Sequence, residues 1–353
     1  MMILKHIPDD FVVREQVSVP VSSGTDQTYF WLTKKNWTTE AAIRIVAKKL
    51  GISTRRLKFA GTKDRRAITT QIVSAFKITP EQLLKLAIKD ISIEIAGTGD
   101  EPTSLGCLQG NAFTITLRDI SSEELADAEG KIATVRLGVV NYFGRQRFGR
   151  GNTHLIGRAI LRGDIEDAAR ELLCFCSAGE SEDITLFRAQ MLKQWGNWEI
   201  AVPHLLYLES RVVRWLQQNP TDFAGALRTL PKHIRKLYVH AYQSHLWNAV
   251  VQSLSEIPPE VPLPGTATDW TTPTAQRFIP LLAQDGLSPE CFSCPRMPEL
   301  ALTGEMRLAQ VIPQDLSCSE PFPDECFPGK QKITLTFSLP RGCYATVVID
   351  ALQ

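Results

Sequence analysis

The segment "KITLTFSL" at 332–339 sets Ile333, Leu335, Phe337 and Leu339 in alternation with polar residues, the period of a half-buried β-strand. "CYATVVI" follows at 343–349 and reads as a further strand. These late strands need partners, and the other strand-like segments come much earlier: "FVVREQV" (11–17), "TYFWLTKK" (28–35), "TQIVSAFKI" (70–78), "ISIEI" (91–95) and "AFTITL" (112–117). Between 154 and 255 the pattern is mostly helical, with "RKLYVHAYQSHLWNAVVQSL" its clearest helix, and 257–300 is broken by prolines and turn residues. A sheet whose last strands arrive after so long a helical stretch implies an α/β (α+β) domain with a second domain inserted into it.

The helices of the first part announce their ends. Thr38 or Thr39 caps a helix with Ile43, Val46, Ala47 and Leu50 at helical spacing and Gly51 as its stop. Thr79, Pro80 and Gln82 form a capping-box pattern, and Ser121 with Glu124 opens a helix that runs to about Gly138. The 353 residues are enough for two domains, and 44% hydrophobic residues exclude wholesale disorder.

A formal net charge of +1 excludes a polycation, so any affinity for nucleic acid has to come from local patches. No apolar run is long enough to span a bilayer, and the start "MMILKHIPDD" turns charged too early for a secretory signal. Eight cysteines in that context read as reduced thiols. The expectation is a cytoplasmic protein without a membrane partner. Cys291 and Cys294 form a C-x-x-C, but Cys318 and Cys326 make a poor second pair, so no metal is expected. Cys174 and Cys176, flanking Phe175, read as the core side of a helix.

Nucleotide loops are missing: the chain has neither a P-loop nor a G-x-G-x-x-G fingerprint, nor the H-E-x-x-H of zincins. What stands out is "FAGTKDRRAITTQ" at 59–71. Between Thr54 and Arg66 lie Arg55, Arg56, Lys58, Lys63, Arg65 and Arg66, with Asp64 as the one acid. A segment that only gripped phosphate would be weakened by that carboxylate, and a solvated helix face would interleave acids at helical spacing. "NYFGRQRFGRGN" at 141–152 mixes Arg145, Arg147 and Arg150 with Tyr142, Phe143 and Phe148, a mixture suited to RNA or to a charged Gly-rich loop. In "LGCLQGNAFTITLR" at 105–118, Asn111 and Phe113 stand two residues apart and share a strand face, which alone favours a turn asparagine and a core phenylalanine.

Together these segments resemble the TruD family of tRNA pseudouridine synthases. The matching stretches are "LKHIPDDFVVRE" (4–15), "FAGTKDRRAITTQ", "LGCLQGNAFTITLR", "VVNYFGRQRFG" (139–149), "AYQSHLWN" (241–248), "LTGEMRLAQVIP" (302–313) and "FSLPRGCYATVVI" (337–349), in the family's order. The resemblance implies a pseudouridine-synthase catalytic domain with a mostly antiparallel sheet, at 1–152 and 302–353, interrupted by a mostly helical family-specific insertion domain at 153–301. It also implies isomerisation of a uridine in tRNA, with uridine 13 of the D arm as the target, without a cofactor and without an obligatory protein partner.

Residue by residue, the resemblance makes Asp64 the catalytic carboxylate, as nucleophile or as proton-abstracting base. It places Phe113 and Asn111 beside the uracil and makes Lys5 a site lysine; Phe11 and Glu15 share the N-terminal motif with Lys5, and Gln71 belongs to the Asp64 signature. Lys63, Arg65, Arg66, Arg145 and Arg147 are the expected RNA contacts. A basic partner is expected for Asp64, with Lys63, Arg147 and Arg307 as candidates in that order. A non-catalytic RNA-binding or RNA-folding protein is the rival reading, but such a protein would bind better without Asp64. A methyltransferase would need a cofactor loop, and none is found.

Overall fold

The computed structural model describes residues 2–353, apart from the Leu105 side chain, so Met1 of the opening segment lies outside the described residues. The backbone divides into two compact units, residues 1–139 with 311–353, and residues 140–310.

The first unit is built on one ten-stranded sheet. Its main strands run in the order Gln314–Cys318, Gln331–Pro340, Leu108–Ile120, Phe11–Val17, Ile68–Phe76, Gln27–Lys35, Ile91–Gly99. Every pairing along that path is antiparallel except that of Phe11–Val17 with Ile68–Phe76. The late strand 331–340 is inserted next to 108–120, opposite residues more than 200 positions earlier (Phe337 faces Phe113). The expected α+β class with a mostly antiparallel sheet is therefore what the chain adopts.

The expected caps form. Thr38 Oγ accepts from the Ala41 N–H at 3.2 Å, and Gly51 closes helix Thr39–Leu50 with φ 67°. Ser121 and Glu124 make a reciprocal capping box for helix Ser122–Leu137.

Register gathers one apolar set from each central strand on a common face of the sheet. Val13 lies opposite Phe113 on one side and Thr69 on the other; Thr69 in turn faces Lys34. Two apolar clusters occupy that face. One joins Phe11, Val13, Phe113, Ile115, Leu335 and Phe337 to the helix at 122–137; the other joins Phe30, Leu32, Val73 and Ala75 to the helix at 39–50. Between them runs a seam of buried polar residues, Glu15, Thr69, Gln71 and Lys34, on the same face as the clusters.

One expected strand is a helix. The chain turns at Gly342 (φ 80°), just before "CYATVVI", and then forms helix Ala345–Asp350. Its Val and Ile residues favour extended backbone, but Ala345, Val347, Val348 and Ile349 are all buried in the first cluster. Packing onto the sheet, with backbone bonds made within the segment, overrides local propensity here.

The second unit contains helix Thr153–Arg162 and the long helix Lys232–Gln252, with Ile165–Cys174, Glu182–Lys193 and Tyr207–Gln218 around them. Cys174 is buried at its helix end, whereas Cys176 is exposed beyond it, so only one of that pair is core. Cys291 and Cys294 are both buried, and burial pushes their thiols up to about 12 and about 11.

Candidate active site

Asp64 lies in the loop that follows the short strand Leu57–Phe59 and precedes Ile68–Phe76, over the polar seam of the sheet. Its side chain is 41% exposed, open enough to meet a ligand. The loop beneath it is held at successive points. Gln71 Nε2 donates to the Gly61 carbonyl at 3.1 Å, and its Oε1 accepts from Thr39 Oγ at 2.8 Å. Thr39 Oγ accepts in turn from the Lys63 N–H at 2.9 Å. The Asn36 N–H donates to the Ala67 carbonyl at 3.1 Å. Lys34 Nζ donates to the carbonyls of Trp37 at 2.6 Å and Asp64 at 2.9 Å.

Lys5 Nζ donates to Asp64 Oδ2. Three features aim this lysine: strand Ile3–Leu4 pairs with Leu117 and Arg118, Lys5 itself takes φ 59°, and its ammonium sits 3.9 Å from the centre of the Phe11 ring. A left-handed conformation is uncommon outside glycine and costs free energy, so it is kept where the surroundings enforce it. Lys5 is not among the three partners expected for Asp64, so that expectation is corrected. Lys63, placed first, turns away to Glu15 at 2.6 Å, where Glu15 also accepts from the Ile72 N–H at 2.9 Å. Lys63 follows Glu15 because that side chain is wholly buried and its charge needs a partner.

Asn111 stands directly opposite Glu15 across the strand pair, and Phe113 opposite Val13. Among the described residues, the Asn111 Oδ1 is buried without a hydrogen-bond partner. Phe113 is 8% exposed, its ring 5.4 Å from Phe337 and 6.2 Å from Phe11. One carboxylate, one lysine, a buried amide oxygen and an aromatic ring therefore belong to the same unit, Asn111 and Phe113 on the sheet and Lys5 and Asp64 on segments that flank its strands.

The sequence profile described as tRNA pseudouridine synthase D (TruD) matches residues 1–258 and 253–351. The chain belongs to the TruD family. A relative from Methanosarcina acetivorans named "Probable tRNA pseudouridine synthase D" is 32% identical over 98% of this chain and 91% of its own. The "tRNA pseudouridine synthase D" of Syntrophotalea carbinolica is 31% identical over 99% of this chain and 95% of its own. A TruD crystal structure from Methanosarcina mazei superposes with a TM-score of 0.79 at 28% identity, covering 99% of this chain and 92% of that one. The resemblance read from the seven motifs is confirmed, and with it the enzyme class: TruD proteins are isomerases.

TruD motifs also meet inside the second unit. Asn248 brackets the Phe143 backbone, accepting from its N–H and donating to its carbonyl, each at 2.9 Å. Arg147 Nε donates to Ser244 Oγ at 3.0 Å, and Arg307 donates to the Asn141 carbonyl at 2.9 Å with its guanidinium 3.9 Å from the Phe143 ring centre. "NYFGRQRFG", "AYQSHLWN" and "LTGEMR" thus build one knot of arginine and aromatic side chains. Arg65, Arg66 and Arg145 are exposed, whereas Arg150 is tied to Glu180 at 2.9 Å. Lys34 and Thr39 escaped the sequence reading as site residues. A signal for Lys34 existed: it shares strand parity with Phe30 and Leu32, which puts a charge on an apolar face.

Proposed function

We propose that this protein isomerises a uridine of tRNA to pseudouridine, with uridine 13 of the D arm as the target, Asp64 as the reactive carboxylate and no cofactor. In the net reaction the C1′–N1 bond breaks, a C1′–C5 bond forms, and the proton on C5 is replaced by one on N1. Atoms and charge balance without an oxidant, a leaving group or an energy carrier. The observation that carries the reading is a lone carboxylate in a basic segment, open on one side, paired with Lys5 and fixed from below. A nucleophile at C1′ and a proton-abstracting base both need that combination of reach and fixed direction.

The rest of the site supports the same substrate. Uracil offers an N–H donor, and Asn111 Oδ1 is a buried acceptor lacking one. Phe113 provides a ring beside it, suited to an unstacked base. Lys63 serves indirectly on this reading, through Glu15, while Arg65, Arg66, Arg145 and Arg147 supply cations for the RNA backbone. The sheet domain performs the chemistry, and the mostly helical insertion, 153–301, grips the RNA.

Pseudouridine mapping of tRNA from cells with and without the protein tests the proposal, followed by reconstitution with the purified enzyme. Loss of the modification at uridine 13 alone is the expected result. Loss at another position would replace the target, and an unchanged map together with an inert purified enzyme would remove the activity.

A further inference from the structure

Lys34 is fully buried, yet it carries an ammonium group. A cation at that depth is costly unless its protons are all directed at acceptors. Its nitrogen donates to the Trp37 and Asp64 carbonyls and lies 3.5 Å from that of Lys63. Trp37 leads into the helix at 39–50, and the other two carbonyls belong to the loop. The two lysines divide Asp64 between them: Lys5 donates to its carboxylate and Lys34 to its backbone carbonyl. What Lys34 grips is the peptide of the reactive residue itself, at 2.9 Å, and its bond to the Trp37 carbonyl ties that peptide to the start of the helix, which fixes the direction in which the Asp64 side chain leaves the chain.

We infer that Lys34 is a positioning residue for the isomerisation, orienting Asp64 through its backbone carbonyl from the buried side of the loop. The inference rests on the reading of Asp64 as the reactive group. A buried lysine cannot touch a phosphate, so its role separates from RNA binding: removing it changes the rate and leaves affinity alone. The charged groups facing it are Asp64 and Lys63 on the loop and Glu40 on the helix. Burial lowers the ammonium to about 8, with Asp64 and Glu40 opposing that shift and Lys63 adding to it. Rising pH therefore strips a proton from the anchor and loosens the loop.

The test is single-turnover isomerisation and tRNA affinity for Lys34→Met, alongside the wild-type rate between pH 7 and 9. Misplacement of a reacting group by about 1 Å costs on the order of a hundredfold, so Lys34→Met is expected to lose about that factor while Kd for tRNA stays within about twofold. The wild-type rate is expected to fall as pH climbs through about 8, and Lys34→Met to lack that alkaline limb. A Lys34→Met enzyme within about threefold of the wild-type rate overturns the inference. If Lys34→Met fails to fold, Lys34→Gln, which draws the donor back by one bond, is read on the same rate and affinity, and a wild-type rate for it overturns the inference. A wild-type enzyme inert on tRNA would instead remove the underlying reading of Asp64, and Lys34 with it.

Discussion

Lys63 and Asp64 are adjacent in the chain but serve different partners: Lys63 reaches Glu15 at 2.6 Å, and Asp64 accepts from Lys5. The two side chains of one dipeptide are thus tied to different segments, Lys63 to strand Phe11–Val17 and Asp64 to the residue just after strand Ile3–Leu4. Glu15 is wholly buried, with one oxygen on Lys63 and the other on the Ile72 N–H at 2.9 Å. Breaking a buried pair by removing one partner costs about 3–5 kcal/mol. Glu15→Ala is expected to destabilise by an amount toward the lower end, because Lys63 can reach solvent. Glu15→Gln keeps an acceptor for Ile72 and should cost less. Denaturant unfolding of both variants ranks them, and equal stability of Glu15→Ala and wild type would mean that the pair is not part of what holds the loop.

Replacing Asp64 by Asn removes the charge while keeping the shape. Isomerisation should vanish in single-turnover assays, and tRNA should bind as well or slightly more tightly, since a negative charge leaves a basic surface. A variant that keeps more than a few per cent of the wild-type rate would take the reactive role away from Asp64.

Binding of tRNA should depend steeply on salt in spite of the net charge of +1. Arg55, Lys58, Arg65, Arg66 and Arg145 are all exposed. Each phosphate neutralised contributes about 0.7–0.9 to the log–log slope. Arg65→Gln should weaken binding and flatten the slope by about that amount, as measured by titration at several salt concentrations. A slope that does not respond would take Arg65 out of the RNA contact.

Phe113 packs against Phe11 and Phe337, so truncation to alanine is expected to cost about 3–5 kcal/mol of stability whatever the ring does in catalysis. Phe113→Leu keeps most of the volume and removes the flat face. Base–aromatic stacking is worth about 1–3 kcal/mol, so the leucine variant should stay folded and lose about ten- to a hundredfold in single-turnover rate. A folded leucine variant with the wild-type rate would make the ring a core residue only.

In the helical unit, the rings of His154 and His245 stack 4.5 Å apart. Burial lowers His154 to about 4 and also lowers His245, with Arg158 adding to both shifts and Asp285 opposing them. Between pH 6.5 and 4 the unfolded chain then binds more protons at these positions than the folded one. Stability should fall as pH drops through that window. Melting temperatures at pH 7 and 5 should show a smaller drop for His154→Phe than for wild type; equal drops would place the acid sensitivity elsewhere.

By itself the sequence determined what short-range physics controls. Alternation located the strands, hydroxyl and carboxamide caps located the helix ends, and the late strand at 332–339 required an interrupted domain. A solitary acid among cations marked Asp64, and two-residue spacing put Asn111 and Phe113 on one face. Only the tertiary structure decided who pairs with whom. Lys5 meets Asp64 across 59 positions and Lys63 meets Glu15 across 48, because the paired strands on either side bring those segments together. It also turned 345–350 into a helix, since burial against the sheet outweighs the extended preference of Val347, Val348 and Ile349. Lys34 lies between these cases. Its parity with Phe30 and Leu32 was written in the strand, but two of the three carbonyls around its charge come from a loop about 30 residues away and meet it only once the chain has folded.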